Sequence, residues 1–116
     1  IHFIIKENEH YFNIETAVPL ALIINELITN SYKYAFNDHM DIKNIHIDIK
    51  KIESHQFMLK VSDNGIGLPN GFDLESTKSL GLKLVKILSE QLEGTLIYYK
   101  KNGATFEITF RDDVAV

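Results

Sequence analysis

The sequence predicts an α+β fold: a two-layer α/β sandwich with a mixed, mostly antiparallel sheet and helices on one face. Three observations carry that expectation. Apolar residues recur at spacings of three and four in two stretches only, 20–35 and 80–92. Several other segments alternate apolar with polar residues at the period of a half-buried strand. Runs of such segments are separated by only those two substantial helices, which favours α+β over a regular strand–helix alternation.

Each element follows in order. Phe3–Lys6 reads as a short strand, with Tyr11–Ile14 a candidate second beside it. Thr16 is the expected N-cap of the first helix, with Pro19 in its first turn, where a missing N–H does no harm. Leu20, Ile23, Ile24, Leu27, Ser31 and Ala35 form its inner stripe. The polar run Asn37–Lys43 reads as a loop. Ile45, Ile47 and Ile49 alternate with His46, Asp48 and Lys50, and Phe57, Leu59 and Val61 repeat the pattern after a turn around Ser54. Gly65–Lys78 is rich in Gly, Asn, Pro, Asp and Ser, a long irregular connection of the kind that carries function. A second helix is predicted over Leu80–Leu92, burying Leu84, Val85, Leu88 and Leu92 and stopped by Gly94. Thr95–Lys100 and Thr105–Phe110 close the chain as strands joined through Asn102-Gly103, and Arg111–Val116 is expected to fray.

At 116 residues the chain is expected to be a single domain, 1–116. Its net charge is −4, with lysines scattered among acidic residues, which argues against a nucleic-acid surface. With no Cys there is no disulfide framework, thiolate metal site or thiol nucleophile. No apolar run approaches the roughly 18 residues of a membrane span. A cytoplasmic address without direct membrane contact is expected. The chain opens on Ile1, so it is expected to be a fragment of a longer protein whose parent, membrane-anchored or not, lies outside it. The five His residues lack a ligand-like spacing and are expected at the surface.

Four local constellations could carry chemistry. On the first helix Glu26, Asn30, Lys33 and Tyr34 follow at steps of four, three and one, a polar arc on the shoulder of the apolar stripe. A carboxylate, an amide oxygen and an ammonium suit a hydrated Mg²⁺ with phosphates, because Mg²⁺ takes few protein ligands and keeps its waters. The same arc also fits a plain solvated helix edge. Asp63-Asn64-Gly65-Ile66-Gly67 follows a strand, where glycines let the backbone approach a flat ligand and a carboxylate accepts from an exocyclic amine. An ordinary Asn-Gly turn reads the same way. Ser79-Leu80-Gly81-Leu82 enters a helix whose free N–H groups favour phosphate, or is simply an N-cap. Gly103-Ala104-Thr105-Phe106 opens the last strand, or is only a hairpin. A dinucleotide fingerprint fails because its third glycine would be Asn70, and no P-loop occurs.

Singly these signals are weak, but in this order they resemble the Bergerat nucleotide-binding fold of gyrase, heat-shock chaperones, histidine kinases and mismatch-repair ATPases. The resemblance runs from about Ile14 to Phe110. Within that superfamily, Pro19 to Asn30 followed by Lys33-Tyr34-Ala35-Phe36 looks like the sensor histidine kinases, as do Ser79-Leu80-Gly81-Leu82 and Gln91-Leu92-Glu93-Gly94. More narrowly, the chain is similar to the HisKA_2 subgroup.

That resemblance implies an ATP-binding catalytic domain. Asn30 would ligate Mg²⁺, with Glu26 a second candidate metal ligand, and Lys33 would contact the phosphates. Tyr34 would pack near the adenine or ribose, and Asp63 would accept from the adenine amino group. Gly65, Ile66 and Gly67 would line the nucleotide. Ser79, Leu80, Gly81 and Leu82 would cover the triphosphate, Thr105 would hold water around the adenine, and residues 68–78, opening with Leu68, would be the ATP lid. Glu26, Asn30 and Lys33 would be the catalytic set, delivering the γ-phosphate to a histidine on a separate dimerisation and phosphotransfer domain, with a response regulator downstream. No residue in this chain qualifies as that acceptor, so the fragment is expected to be monomeric and the full protein homodimeric. Two departures stand out: Ser79 occupies a position most transmitter kinases give to Gly, and Glu26 one that many give to Asn. Rival readings are a water-hydrolysing ATPase or an anti-sigma serine kinase of the same fold, and a degenerate nucleotide-binding scaffold.

Overall fold

The computed structural model describes residues 2–5, 10–36, 39 and 42–113. Among these residues five strands form one sheet: β1 (His2–Ile5), β2 (Asn44–Glu53), β3 (Gln56–Asp63), β4 (Thr95–Lys100) and β5 (Ala104–Arg111). Their order is β1-β2-β3-β5-β4, parallel at β1–β2 and antiparallel elsewhere. Helices α1 (Ile14–Asn30) and α2 (Leu80–Gln91) pack on each other and bury their apolar stripes on one face of that sheet. This is the mixed, mostly antiparallel two-layer α+β architecture that the periodicity predicts.

The core explains the arrangement. Ile23 of α1, Val85 of α2, and Ile45, Leu59 and Ile108 of the sheet are fully buried. On β3 the inward phase is strict: Phe57, Leu59, Val61 and then Asp63 are buried, alternating with half-buried Met58, Lys60 and Ser62. The last inward position of this strand is therefore a carboxylate.

Several local expectations are corrected. Residues 11–13 form no strand, because Phe12 packs its ring on Phe57 and Phe110, at centroid distances of 4.9 and 5.6 Å. Asn13, not Thr16, caps α1: its side-chain oxygen accepts from the Glu15 N–H at 3.2 Å. Thr16 is buried inside the helix, and Pro19 falls in the second turn. Leu84 is 36% exposed, while Leu82 takes the inner position beside Val85 and Leu88. The end of α2 is a Schellman turn in which Glu93 holds the left-handed φ of 54°, and Gly94 donates to the Ser89 carbonyl at 2.9 Å. His10 is no surface residue: it is half-buried with its ring 5.5 Å from that of Phe57. Of the tail expected to fray, Asp112 is buried and accepts from the Asn13 N–H at 3.0 Å. Residues 114–116, Lys6 and most of the Asn37–Lys43 loop lie outside the described residues.

Candidate functional site

The helix α1 does not end at Asn30. Residues Ser31–Ala35 continue it as one π-helical turn, a widening that recurs at functional sites. That turn keeps Ser31 and Ala35 buried while Tyr32, Lys33 and Tyr34 face outward. Ser31 and Ala35 are thereby brought against the end of β3.

There Asp63 collects three donors. Its Oδ1 accepts from the Gly65 N–H at 2.9 Å and the Ala104 N–H at 3.1 Å, and its Oδ2 from the Ser31 hydroxyl at 2.8 Å. One buried carboxylate thus ties together the end of β3, the start of β5 and the π-turn. The Ala35 carbonyl accepts from the Ile66 N–H at 2.9 Å, which clamps the Asp-Asn-Gly turn against the same helix end. A Cβ on Gly65 would lie 2.3 Å from that carbonyl oxygen, so only glycine passes here. Asn64 anchors the other side, accepting from the Asn44 N–H at 2.7 Å and donating to the Ile42 carbonyl at 2.9 Å.

Beside this cluster lie two adjoining hollows. A hollow of about 430 Å³ is lined by Glu26, Thr29, Asn30, Lys33, Tyr34, Leu68, Lys78, Ser79, Leu80, Gly81 and Leu82. A narrow crevice of about 20 Å³, room for about one water, is lined by Asn30, Ser31, Tyr34, Ala35, Asp63, Gly67, Leu68, Ala104 and Phe106. Asn30, Tyr34 and Leu68 line both, so the hollows meet. The start of α2 opens into the larger one, and Ser79 caps that helix by accepting from the Leu82 N–H at 3.3 Å. Leu68 is held from the far side, its N–H donating to the Tyr98 hydroxyl at 2.9 Å.

Most of the expected site residues converge here, and some do not. Glu26, Asn30, Lys33, Tyr34, Leu68, Ser79, Leu80, Gly81 and Leu82 share the larger hollow, while Asp63 and Gly67 lie at the crevice. Gly65 is a buttress behind Asp63 rather than a lining residue. Ile66 points outward at 57% exposure. Thr105 pairs with Ser62, is buried, and lines a further hollow of about 610 Å³ with His46, Asp48, Lys60 and Asp63, one residue out of phase with the inward Ala104 and Phe106. Ala104, through its N–H, is the residue of that motif that meets Asp63. Sequence reading also passed over Thr29 and Lys78 on the lining, and Ser31. The signal for Ser31 was its place on the inner stripe of α1, where a hydroxyl needs a buried partner.

Residues 15–114 match the family model described as histidine kinase-, DNA gyrase B- and HSP90-like ATPase, and the chain belongs to that family. Over 83 residues, 71% of this chain and 16% of the relative, it is 35% identical to sensor histidine kinase PdtaS of Mycobacterium tuberculosis. It is 28% identical, over 72% of its length and 24% of the relative's, to blue-light-activated histidine kinase 2 of Erythrobacter litoralis. The chain therefore spans a minor part of these relatives. The fold superposes on Erythrobacter litoralis EL346 blue-light activated histidine kinase with a TM-score of 0.88 at 22% identity, covering 97% of this chain and 35% of that one. It also superposes on Acinetobacter baumannii histidine kinase AdeS with a TM-score of 0.71 at 21% identity, covering 97% and 53%.

Membership of this family makes the chain an ATP-binding domain. A resident metal cage is a different matter: no group of three or more His, Asp or Glu side chains able to hold a metal occurs among the described residues. Glu26 and Asn30 nevertheless line one hollow, and their side chains form a donor set that fits a Mg²⁺ arriving with phosphates and keeping most of its waters.

Proposed function

We propose that this chain is the catalytic domain of a sensor histidine kinase, which binds Mg-ATP and gives the γ-phosphate to a histidine on a separate dimerisation domain of the same protein. The observation that carries the reading is the convergence of the α1 polar shoulder and the α2 N-terminus on one 430 Å³ hollow that meets the Asp63 crevice. The relatives named as sensor histidine kinases favour this reading over a hydrolytic ATPase, an anti-sigma kinase or an inert scaffold.

In this reading Asp63 takes the adenine amino group, and Tyr34 and Leu68 border the base and ribose. The crevice at Asp63 measures about 20 Å³ and is bordered by Leu68, the first residue of segment 68–78, so displacement of that segment, acting as a lid, would widen it for a base. Lys33 and the free N–H groups at the start of α2 hold the phosphates. Asn30 and Glu26 would hold Mg²⁺, which would supply charge neutralisation on the transferring phosphoryl group. The chain's own part is positioning: phosphoryl transfer needs little covalent help from a protein that fixes the nucleotide and balances its charge. Without its own acceptor histidine the domain acts as a monomer, completed by the dimerisation domain of a homodimeric parent and read out by a response regulator. The proposal puts the domain in the cytoplasm, where ATP is held. Among the described residues no helix is long and apolar enough to cross a membrane.

Calorimetric titration of the chain with ADP in the presence of Mg²⁺ tests the proposal. Saturable binding that Asn30→Ala and Asp63→Ala both weaken supports it. No heat at millimolar nucleotide sinks it.

A further inference from the structure

We infer that Ser31 is a positioning residue that sets the base preference of this site, acting through Asp63. The inference rests on the nucleotide reading above and adds a residue that none of the four motifs assigned to the ligand.

Ser31 is 7% exposed and Asp63 6%. A carboxylate can only accept, so the 2.8 Å contact between them commits the single Ser31 hydroxyl proton to Asp63 Oδ2. A carboxylate offers about four lone-pair positions. The Gly65 and Ala104 N–H groups occupy both on Oδ1, and Ser31 occupies one on Oδ2. A single acceptor position remains, on Oδ2, where Asp63 and Ser31 line the crevice together.

The chemistry of that position follows. The two backbone donors on Oδ1 prevent the carboxylate from forming a two-pronged pair with adjacent ring N–H and amino groups. The Ser31 oxygen, its proton committed, has only lone pairs to offer. Together the two side chains present acceptors and no donor. A 6-amino purine brings a donor to that point, whereas a 6-oxo purine sets a carbonyl oxygen against a carboxylate. Ser31 holds the carboxylate plane so that the remaining lone pair meets the amino group. Without the hydroxyl, Oδ2 has two open positions, and water competes with the base for both.

The test compares ADP with IDP, which differ at the 6-position of the base, on the wild-type chain, Ser31→Ala and Ser31→Thr. The wild type is expected to prefer ADP. Ser31→Ala is expected to lose ADP affinity by about tenfold, the scale of one hydrogen bond to a charged group, with IDP affinity almost unchanged. Ser31→Thr keeps a hydroxyl and should keep the wild-type ratio even if its extra methyl weakens both ligands. Should Ser31→Ala not fold, Ser31→Cys, whose thiol is a weak donor, reads the same ratio. An ADP-to-IDP ratio unchanged in the hydroxyl-free variant overturns the inference, because a merely structural role lowers both affinities alike. A wild type that binds neither ligand instead brings down the nucleotide reading of the site and the inference with it, whereas one that binds both equally overturns the inference and leaves nucleotide binding standing.

Discussion

The two ends of the site are built on opposite principles. At the Asp63 end, every oxygen of a buried carboxylate is engaged by the protein, and the adjoining Gly65 stands against the Ala35 backbone with no room to spare. At the other end Lys33 is exposed, Leu80 is 81% exposed, and no hydrogen bond or ion pair among the described residues engages the side chains of Glu26, Asn30 or Lys33. The first end is preorganised and tolerates no change of shape. The second is a set of free polar groups around open volume, which suits a ligand that brings its own charge and hydrated ion. On the proposed function, rigidity falls where the base would be read and freedom where phosphate would arrive and depart.

The largest expected effect sets the glycines of the two ends against each other. In Gly65→Ala the new Cβ would stand 2.3 Å from the Ala35 carbonyl oxygen, a backbone atom that can move only with its helix. Such overpacking should cost about 3 kcal/mol, read as a lower midpoint in denaturant unfolding. In Gly81→Ala the first contact is Glu26 Oε2 at 2.8 Å, the tip of a side chain that can swing aside. Its stability should stay within about 0.5 kcal/mol of wild type while nucleotide affinity falls. Equal destabilisation of both variants would remove the contrast between the ends.

Next in size is Asp63→Asn. The carboxamide oxygen can keep the Gly65 and Ala104 N–H groups, and its NH₂ can donate to the Ser31 oxygen, so the domain should fold at a cost of about 1–3 kcal/mol. The crevice then presents a donor where it had an acceptor. The expected outcome in the titration is a reversal, with IDP bound better than ADP. A variant that still prefers ADP would show that the base is read elsewhere.

Much of this contrast was legible in the sequence, and the rest was not for definite reasons. Asp63 stood out because it opens an Asp-Asn-Gly-Ile-Gly turn straight after a strand; it also continues the inward phase of Phe57, Leu59 and Val61, where a carboxylate needs partners. The partners themselves were hidden. Ser31 lies 32 positions from Asp63 and Ala104 lies 41, separations no local pattern reports. The phase of Thr105 was available: Phe106, Ile108 and Phe110 face the core, so Thr105 lies on the other face of the sheet, where it too is buried. On α2 the ambiguity was real, because Leu80, Leu82, Leu84, Val85, Ile87 and Leu88 leave more than one apolar stripe, and only packing against α1 selects among them. The π-turn at Ser31–Ala35 has no sequence signature of its own.

At the open end, Asn30→Ala should leave thermal stability unchanged, since its side chain holds nothing in the fold. Its ADP affinity in Mg²⁺ should fall by about tenfold, and the gain from adding Mg²⁺ should shrink. Lys33→Ala should weaken binding less, and the loss should fade as salt rises, because an exposed ammonium acts through screened charge. A drop in melting temperature for either variant would mean that the phosphate end carries structure after all.

The smallest effect concerns the segment between the ends. Glu75, in the short 3₁₀ turn Leu74–Ser76, pairs with Lys86 of α2 at 2.5 Å. The hydrogen bond from Lys86 to Glu75 raises the lysine's pKa above its ordinary value. With the folded value raised, the pair's contribution is complete at neutral pH and is lost only as pH climbs through that raised value. Melting curves of the wild type should therefore show no loss of this contact between pH 6 and about pH 9, well below the usual lysine range. Both partners are solvent-accessible, so Glu75→Gln should leave the melting temperature where it is. What it should change is local: limited proteolysis within 68–78 should speed up, because one tether of that segment loses its charge and weakens while the Tyr98 hydroxyl still holds Leu68. Tyr98→Phe removes that second tether, at the boundary with the rigid end, and should speed cleavage further. If neither variant alters the digestion rate, the segment is held by its apolar packing through Phe72 and Leu74, and the mobile character assigned to this side of the site belongs to the side chains of Glu26 and Lys33 alone.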